Sequence, residues 1–204
     1  FLFSATINLW NHLNDVLEDS IARKDNLFLT DRNLRNFVAV LIPVFYVFSF
    51  ILIYNWVVDP LSIFLFPIVI FFTWAYSDTF LLGRYFRRFK EDYKTEVLTY
   101  VISYPLFSIT LWTLSSKINT TAIMVSVLLT LFGLWGVTLK DIKDLTSDKL
   151  AGYNTLAVRF QPKTLLKISF LFIFLYYILL LPMSIQGLIK SASLIIIIMI
   201  LFPI

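Results

Sequence analysis

The sequence has no cysteine and a single histidine, His12, among its 204 residues. Disulfides, thiolate catalysis and cysteine-ligated metals are therefore excluded, and a histidine-based metal centre would lack a second histidine. Charged residues make up only 15% of the chain, whereas a soluble domain carries about 25%. Any chemistry must therefore use carboxylates, amides, lysine, arginine and tyrosine.

Apolar residues are in excess: 59% of the chain is hydrophobic, and the mean hydropathy is +0.82. A helix needs about 20 apolar residues to cross a bilayer. We predict an all-α, polytopic transmembrane helix bundle and expect helix starts, bends or ends at Pro60, Pro182 and Pro203. Both termini are expected to be cut. The predicted spans are 36–56, 60–76, 97–114, 120–139, 165–182 and 188–204, after a partial helix at 1–13.

The lysines and arginines concentrate in three long polar connections, at 20–35, 77–96 and 140–164. The three short connections, at 57–59, 115–119 and 183–190, contain only two basic residues, Lys117 and Lys190. The positive-inside rule therefore places the long connections, which also carry nearly all the acidic residues, in the cytoplasm. This spread along the connections argues against a nucleic-acid-binding patch. The basic residues of the long connections are Arg23, Lys24, Arg32, Arg35, Arg84, Arg87, Arg88, Lys90, Lys94, Lys140, Lys143, Lys149, Arg159 and Lys163.

A first acidic cluster follows the partial helix, where Asn11, Asp15 and Asp19 recur every four residues. At about 3.6 residues per turn, they form one stripe on a helix. Oxygen ligands on one face suit Mg²⁺, which takes one or two carboxylates and completes its octahedron with water and phosphate. The alternative is an ordinary solvated helix end.

A second cluster, Asp141, Asp144 and Asp148, directly follows the run 120–139, and its spacing again indicates one helix face. Two such clusters at the ends of different membrane helices favour a functional site, because ionisable groups at membrane depth are rare. Facing each other, the stripes would form an acidic cage suited to a diphosphate bridged by Mg²⁺. Basic side chains could hold the phosphate oxygens, or could serve topology alone. They are Arg84, Arg88, Lys90 and Lys140.

The two patterns, NxxxDxxxD and DxxDxxxD, resemble the paired signatures of the UbiA superfamily of intramembrane prenyltransferases. The second match extends over 140–158, which is similar to KDxxDxxxDxxxGxxTL(A/P)V and includes Gly152 and Thr155. In the middle connection, Tyr76-Ser77, Arg88-Phe89-Lys90 and Glu96-Val97-Leu98 resemble a YS…RxK…(D/E)VL segment.

The resemblance implies one transmembrane domain over 1–204, equivalent to about helices 2 to 8 of a nine-helix bundle. It implies an Mg²⁺-dependent enzyme that moves a polyprenyl group from a prenyl diphosphate to an aromatic or isoprenoid lipid acceptor. On this basis Asn11, Asp15, Asp19, Asp141, Asp144 and Asp148 are assigned to metal binding. Tyr76, Arg88, Lys90 and Lys140 are assigned to the diphosphate, and Lys140, Asp141 and Asp144 to catalysis.

Two departures prevent transfer of the acceptor's identity. His12 stands where many members have aspartate, and the stretch after Asp19 lacks an NxPxRP segment. Two other functions compete with prenyl transfer. A CDP-alcohol phosphotransferase would need a DGxxAR element, and the sequence contains no Asp-Gly dipeptide. A cation transporter or channel with carboxylate-lined mouths fits less well. Transporters often carry helices broken by Gly or Pro at the membrane midplane, whereas here the acidic residues lie at helix ends and the chain has only five glycines.

Overall fold

The computed structural model describes residues 1–21 and 25–187 of the chain. This part contains nine α-helices and no β-strand, which confirms the all-α prediction. Two 3₁₀ turns, Leu82–Arg84 and Phe89–Glu91, lie between α5 and α6. The helices are α1 (Leu2–Asn14), α2 (Val16–Ile21), α3 (Leu27–Thr30), α4 (Arg32–Trp56), α5 (Leu61–Ser77), α6 (Tyr93–Trp112), α7 (Thr120–Ala151), α8 (Leu156–Arg159) and α9 (Pro162–Ile185).

The predicted partial helix and five of the six predicted spans correspond to α1, α4, α5, α6, α7 and α9. The sixth run, 188–204, lies outside the described residues, as does Pro203. Pro60 precedes α5 as its N-cap, and Pro182 lies inside α9 near its end.

The segment 140–164 was predicted to be a polar connection, and for its first half this is wrong. Helix α7 continues past residue 139 to Ala151, because no glycine or proline lies between residue 139 and Gly152. Gly152 ends the helix in the left-handed region, at φ 75°, a conformation that glycine adopts at low cost. The second acidic cluster is therefore helical throughout.

Four described segments are long and apolar enough to cross a membrane. They are Arg32–Trp56, Leu61–Arg84, Thr120–Ala151 and Pro162–Ile185. Helix α6 has the length of a span but carries polar residues on its buried side, among them Glu96, Thr99 and Ser103. The chain is an integral membrane protein.

The helices pack so that one face of each is buried. In α4 the buried positions Val38, Ile42 and Tyr46 recur at helical spacing, while large apolar residues on the other face stay exposed, as expected beside lipid. Helix α1 packs on α4 and α5, α6 lies between α5 and α7, and α7 also contacts α9. Trp10 of α1 stacks on Trp74 of α5, with ring centroids 4.1 Å apart.

The conformation of the connection from α5 to α6 is fixed by hydrogen bonds between a side chain and the backbone within it. The Asp78 carboxylate accepts hydrogen bonds from the backbone N–H groups of Phe80, Leu81 and Leu82. At Gly83, an added Cβ would lie 2.1 Å from the carbonyl oxygen of Asp78. The far end of this connection pairs with the turn after α7, since the Asn154 backbone N–H donates to the Glu91 carbonyl at 2.8 Å.

Candidate active site

A cavity of about 480 Å³ lies between α1, α2, α5, α6 and α7. Phe3, Ile7 and Phe107 line it at one end, and the acidic clusters line it at the other. The cavity therefore combines an apolar region with a strongly polar one. The predicted site residues on its wall are Asn11, Asp15, Asp19, Tyr76, Lys90, Lys140, Asp141, Asp144 and Asp148.

The first acidic wall is a stripe across a helix junction. Helix α1 ends at Asn14, Asp15 is its C-cap, and α2 resumes at Val16. The helical register survives the junction, because the Asp15 N–H donates to the Asn11 carbonyl at 2.9 Å and the Asp19 N–H to the Asp15 carbonyl at 2.8 Å. Asn11, Asp15 and Asp19 therefore still face one side, as their spacing predicts.

Neighbouring side chains orient this first wall. Ser77 donates to the Asn11 side-chain oxygen at 2.9 Å, and Asn26 donates to Asp19 Oδ2 at 2.7 Å. Lys90 donates to Asp15 and lies 3.4 Å from Glu18. Burial nevertheless raises the pKa of Asp15 more than Lys90 lowers it.

The second acidic wall is the inward face of α7. Asp141 is only 2% exposed, and its Oδ2 atom has no hydrogen-bond partner among the described residues. Asp144 lies 3.6 Å from the Lys140 ammonium, and Asp148 accepts a hydrogen bond of 2.8 Å from Thr155. Thr155 and Asp148 both belong to the 140–158 match. Their hydrogen bond connects the turn after Gly152 to the end of α7.

Of the four basic residues that could hold phosphate, Lys90 and Lys140 line the cavity, whereas Arg84 and Arg88 do not. Arg88 is instead buried behind the cavity wall. Its buried guanidinium donates to Glu18, Glu91 and the Tyr153 hydroxyl, and to the Asn14 carbonyl at 3.3 Å. Burial acts to lower its pKa, but the contacts to Glu91 and Glu18 outweigh this and raise it. Arg88 thus joins the middle connection to α1, α2 and the turn after α7, from behind the cavity wall.

The cavity is also lined by side chains that the sequence reasoning did not assign, among them Glu18, Glu96 and Tyr100. Glu18 follows Asp15 by three residues, so the helical spacing that selected Asp15 and Asp19 could have found it. Glu96 belongs to the (D/E)VL match and is buried on α6. Tyr76 donates to Glu96 at 3.1 Å and also bonds Tyr100.

Within residues 1–21 and 25–187, the cavity wall carries more acidic than basic side chains. Seven carboxylate side chains line it, against the ammonium groups of Lys90 and Lys140. Glu18, Glu96 and Asp141 each keep one buried carboxylate oxygen without a partner among the described residues. Buried charges of this kind require cations or protons for compensation. The seven are Asp15, Glu18, Asp19, Glu96, Asp141, Asp144 and Asp148.

The acidic walls fit Mg²⁺ that is shared with a phosphate group more readily than a bare ion. Within residues 1–21 and 25–187, no three acidic or histidine side chains converge on a single metal position. Mg²⁺ is usually held by one or two carboxylates, with waters and substrate phosphates as its other ligands. The unpartnered oxygens of Asp141 and Glu18 are available for such a role.

A sequence model described as "UbiA prenyltransferase family" matches residues 1–204. An uncharacterized protein of Archaeoglobus fulgidus is 39% identical over 171 residues, which is 83% of this chain and 58% of that protein. The chain thus spans little more than half the length of this relative. No solved structure matches the chain.

Proposed function

The chain belongs to the UbiA prenyltransferase family, and on this basis we propose that it moves a polyprenyl group from a prenyl diphosphate to an aromatic or lipid acceptor and releases diphosphate. The single observation that carries the proposal is the cavity itself, which joins two acidic walls to an apolar end. A diphosphate bound through Mg²⁺ matches the acidic region, and a polyprenyl tail matches the apolar one.

The residues of the acidic region have complementary tasks. Asn11, Asp15 and Asp19 on one side, and Asp141, Asp144 and Asp148 on the other, would hold Mg²⁺ between them. When bound there, Mg²⁺ would supply Lewis-acid stabilisation of the negative charge on the departing diphosphate. The carboxylates alone would repel the substrate, so the site binds it only together with cations.

Lys90 and Lys140 would donate charge-assisted hydrogen bonds to the phosphate oxygens. These contacts strengthen as the leaving group gains negative charge, which favours bond cleavage over mere binding. Lys140 is suited to reach a substrate, because 60% of its side chain is accessible at the cavity wall. Arg88 would act indirectly, by keeping Glu18 and the middle connection in place.

The allylic cation left by the departing diphosphate would lie among aromatic rings. Tyr76, Tyr100 and Tyr104 line the cavity beside the acidic region, and the rings of Tyr100 and Tyr104 stack with centroids 5.5 Å apart. Aromatic faces attract cations, and a dry wall limits quenching by water. The acceptor would attack C1 of this cation, form the new bond there, and lose a proton to give the neutral product.

The site is proposed to open on the cytoplasmic side, where the positive-inside rule places the connections that surround it. Residues 1–204 are proposed to form one transmembrane domain, equivalent to about helices 2 to 8 of a nine-helix bundle.

The full-length protein in membranes, given labelled geranylgeranyl diphosphate, Mg²⁺ and a panel of aromatic, hydroxyl and isoprenoid acceptors, tests this proposal. A product whose mass equals acceptor plus prenyl group, formed in step with diphosphate release, is the expected result. Cation flux in liposomes without any prenylated product would instead indicate the transporter function.

A further inference from the structure

The proposed function makes no use of the basic residues in one part of the middle connection, the arginine loop, which we define as residues 79–87. Arg84 and Arg87 in this loop are exposed, and neither makes a hydrogen bond or salt bridge with any residue of the described ranges. The positive charge of Arg87 contributes to lowering the pKa of the Asp92 carboxyl group. Neither arginine lines the candidate active site.

The same loop exposes large apolar side chains. Leu81 is 62% exposed, Tyr85 82% and Phe86 69%. The loop begins two residues after α5 ends at Ser77, and the apolar segment that could cross the membrane runs on to Arg84. The end of an apolar segment of spanning length is expected at the boundary between acyl chains and headgroups, where aromatic side chains and arginine are favoured.

A second, open cavity of about 380 Å³ lies against the loop. Thr79, Gly83 and Tyr85 contribute to its wall, together with the arginines. Arg88 and Glu91, which also line it, pair with each other. Arg84 and Arg87 therefore leave the cavity with net positive charge, complementary to an anionic group.

The backbone of the loop has a fixed shape near Asp78, so this part of the loop needs little backbone ordering to bind a ligand. The Asp78 carboxylate accepts hydrogen bonds from the backbone N–H groups of residues 80–82, and the close approach of Gly83 to the Asp78 carbonyl allows no side chain there. Preorganised groups lose less entropy on binding.

We propose that the arginine loop binds the headgroup of an anionic phospholipid of the surrounding membrane. Arg84 and Arg87 contact the lipid phosphate at the second cavity, while Leu81, Tyr85 and Phe86 enter the acyl boundary beside it. Each basic side chain near an anionic membrane surface favours anionic lipid by roughly fivefold. The inference is independent of prenyl transfer.

Residues 1–204 contain no cysteine, so none of them competes with a cysteine introduced there as a labelling site. A single F86C substitution in the full-length protein is labelled with a bimane and placed in nanodiscs that hold one copy. Quenching by doxyl-labelled phosphatidylglycerol is compared with quenching by doxyl-labelled phosphatidylcholine at equal mole fraction. We expect phosphatidylglycerol to quench more strongly, and R84Q/R87Q to remove most of the difference.

The matched control is R159Q/K163Q, which removes two exposed charges, one at the end of α8 and one at the start of α9, and should keep the preference. Four results would overturn the proposal. They are no quenching by either lipid, equal quenching by both, an unchanged preference in R84Q/R87Q, and loss of the preference on adding inorganic diphosphate. The last would assign the arginines to free phosphate.

Discussion

At the residue scale, Asp141 is the most informative side chain, because it is buried at the cavity wall with one oxygen unpartnered. Replacing it with asparagine keeps its size and removes its charge. We expect Asp141→Asn to lower turnover at least tenfold, or about 1.4 kcal/mol, and to raise the Mg²⁺ concentration needed for half-maximal activity. Steady-state kinetics over a Mg²⁺ titration measures both quantities.

Asp25→Asn is the matched control, because Asp25 is exposed and does not line the cavity. This variant should retain the activity and Mg²⁺ dependence of the native protein. Equal turnover in Asp141→Asn and Asp25→Asn would remove Asp141 from the site.

A second residue-scale prediction separates substrate contact from general positive charge. Lys90 lines the cavity, whereas Arg87 is exposed outside it. Lys90→Ala should raise the KM for prenyl diphosphate and lower kcat, with a combined loss in kcat/KM of at least tenfold. Arg87→Ala should change kcat/KM less than twofold, or about 0.4 kcal/mol. Similar losses in the two variants would show that the loop acts through its net charge alone.

The sequence alone could not distinguish Arg88 from Lys90. The RxK match selected both, yet Lys90 lines the cavity and Arg88 lies behind its wall. The difference arises because the middle connection is irregular, so no helical or strand period determines where its side chains point. The acidic residues were easier to place, because spacings of three and four residues define one helix face.

At the element scale, the contact between α6 and α7 shapes the cavity. Gly133 of α7 lies against the ring of Tyr104, and an added Cβ would lie 2.5 Å from a ring carbon. Gly136 lies in the same helix, and an added Cβ there would meet nothing within 4 Å. The two glycines therefore form a matched pair of test positions.

We expect Gly133→Ala to destabilise the protein by about 1–3 kcal/mol through overpacking and to reduce activity by moving Tyr104. Gly136→Ala should be neutral or stabilising by up to about 1 kcal/mol, because alanine favours helix. Thermal unfolding in detergent, with activity measured in parallel, compares them. Equal melting temperatures would show that α6 and α7 are not closely packed at Gly133.

Hydrophobic runs predicted the existence of the helices better than their ends. The run 120–139 located α7, but its apolar stretch stops well before the helix, which continues with polar residues to Ala151. Helix ends depend on caps such as Gly152 and not on hydropathy. The polar buried face of α6 also follows from the tertiary structure, because it faces the cavity and not lipid.

At the scale of the whole molecule, the distribution of basic residues predicts orientation. Single cysteines in the Cys-free chain, at Ser116 and at Arg159, should react with a membrane-impermeant maleimide from opposite sides. Arg159 should be labelled from the cytoplasmic side and Ser116 from the other. Labelling of both cysteines from one side would contradict this orientation, because α7 would then not cross the membrane between them.

The family and the all-α architecture were predictable from sequence, because motif spacing and apolar length are local properties. The convergence of the two acidic walls was a hypothesis that depended on how distant helices pack. In the structure, α2 contacts α7, and Asp15 and Asp148 line the same cavity. Which acceptor reaches that cavity is not determined by any local pattern.

The central claim is that the two acidic walls bind one diphosphate together through Mg²⁺. The most direct measurement is the affinity of inorganic diphosphate for the full-length protein, with Mg²⁺ or with excess chelator, by isothermal titration. The account predicts Mg²⁺-dependent binding that is weakened at least tenfold, or about 1.4 kcal/mol, by Asp15→Asn and by Asp148→Asn, one from each wall. Tight binding in chelator, or full affinity in either variant, would contradict it.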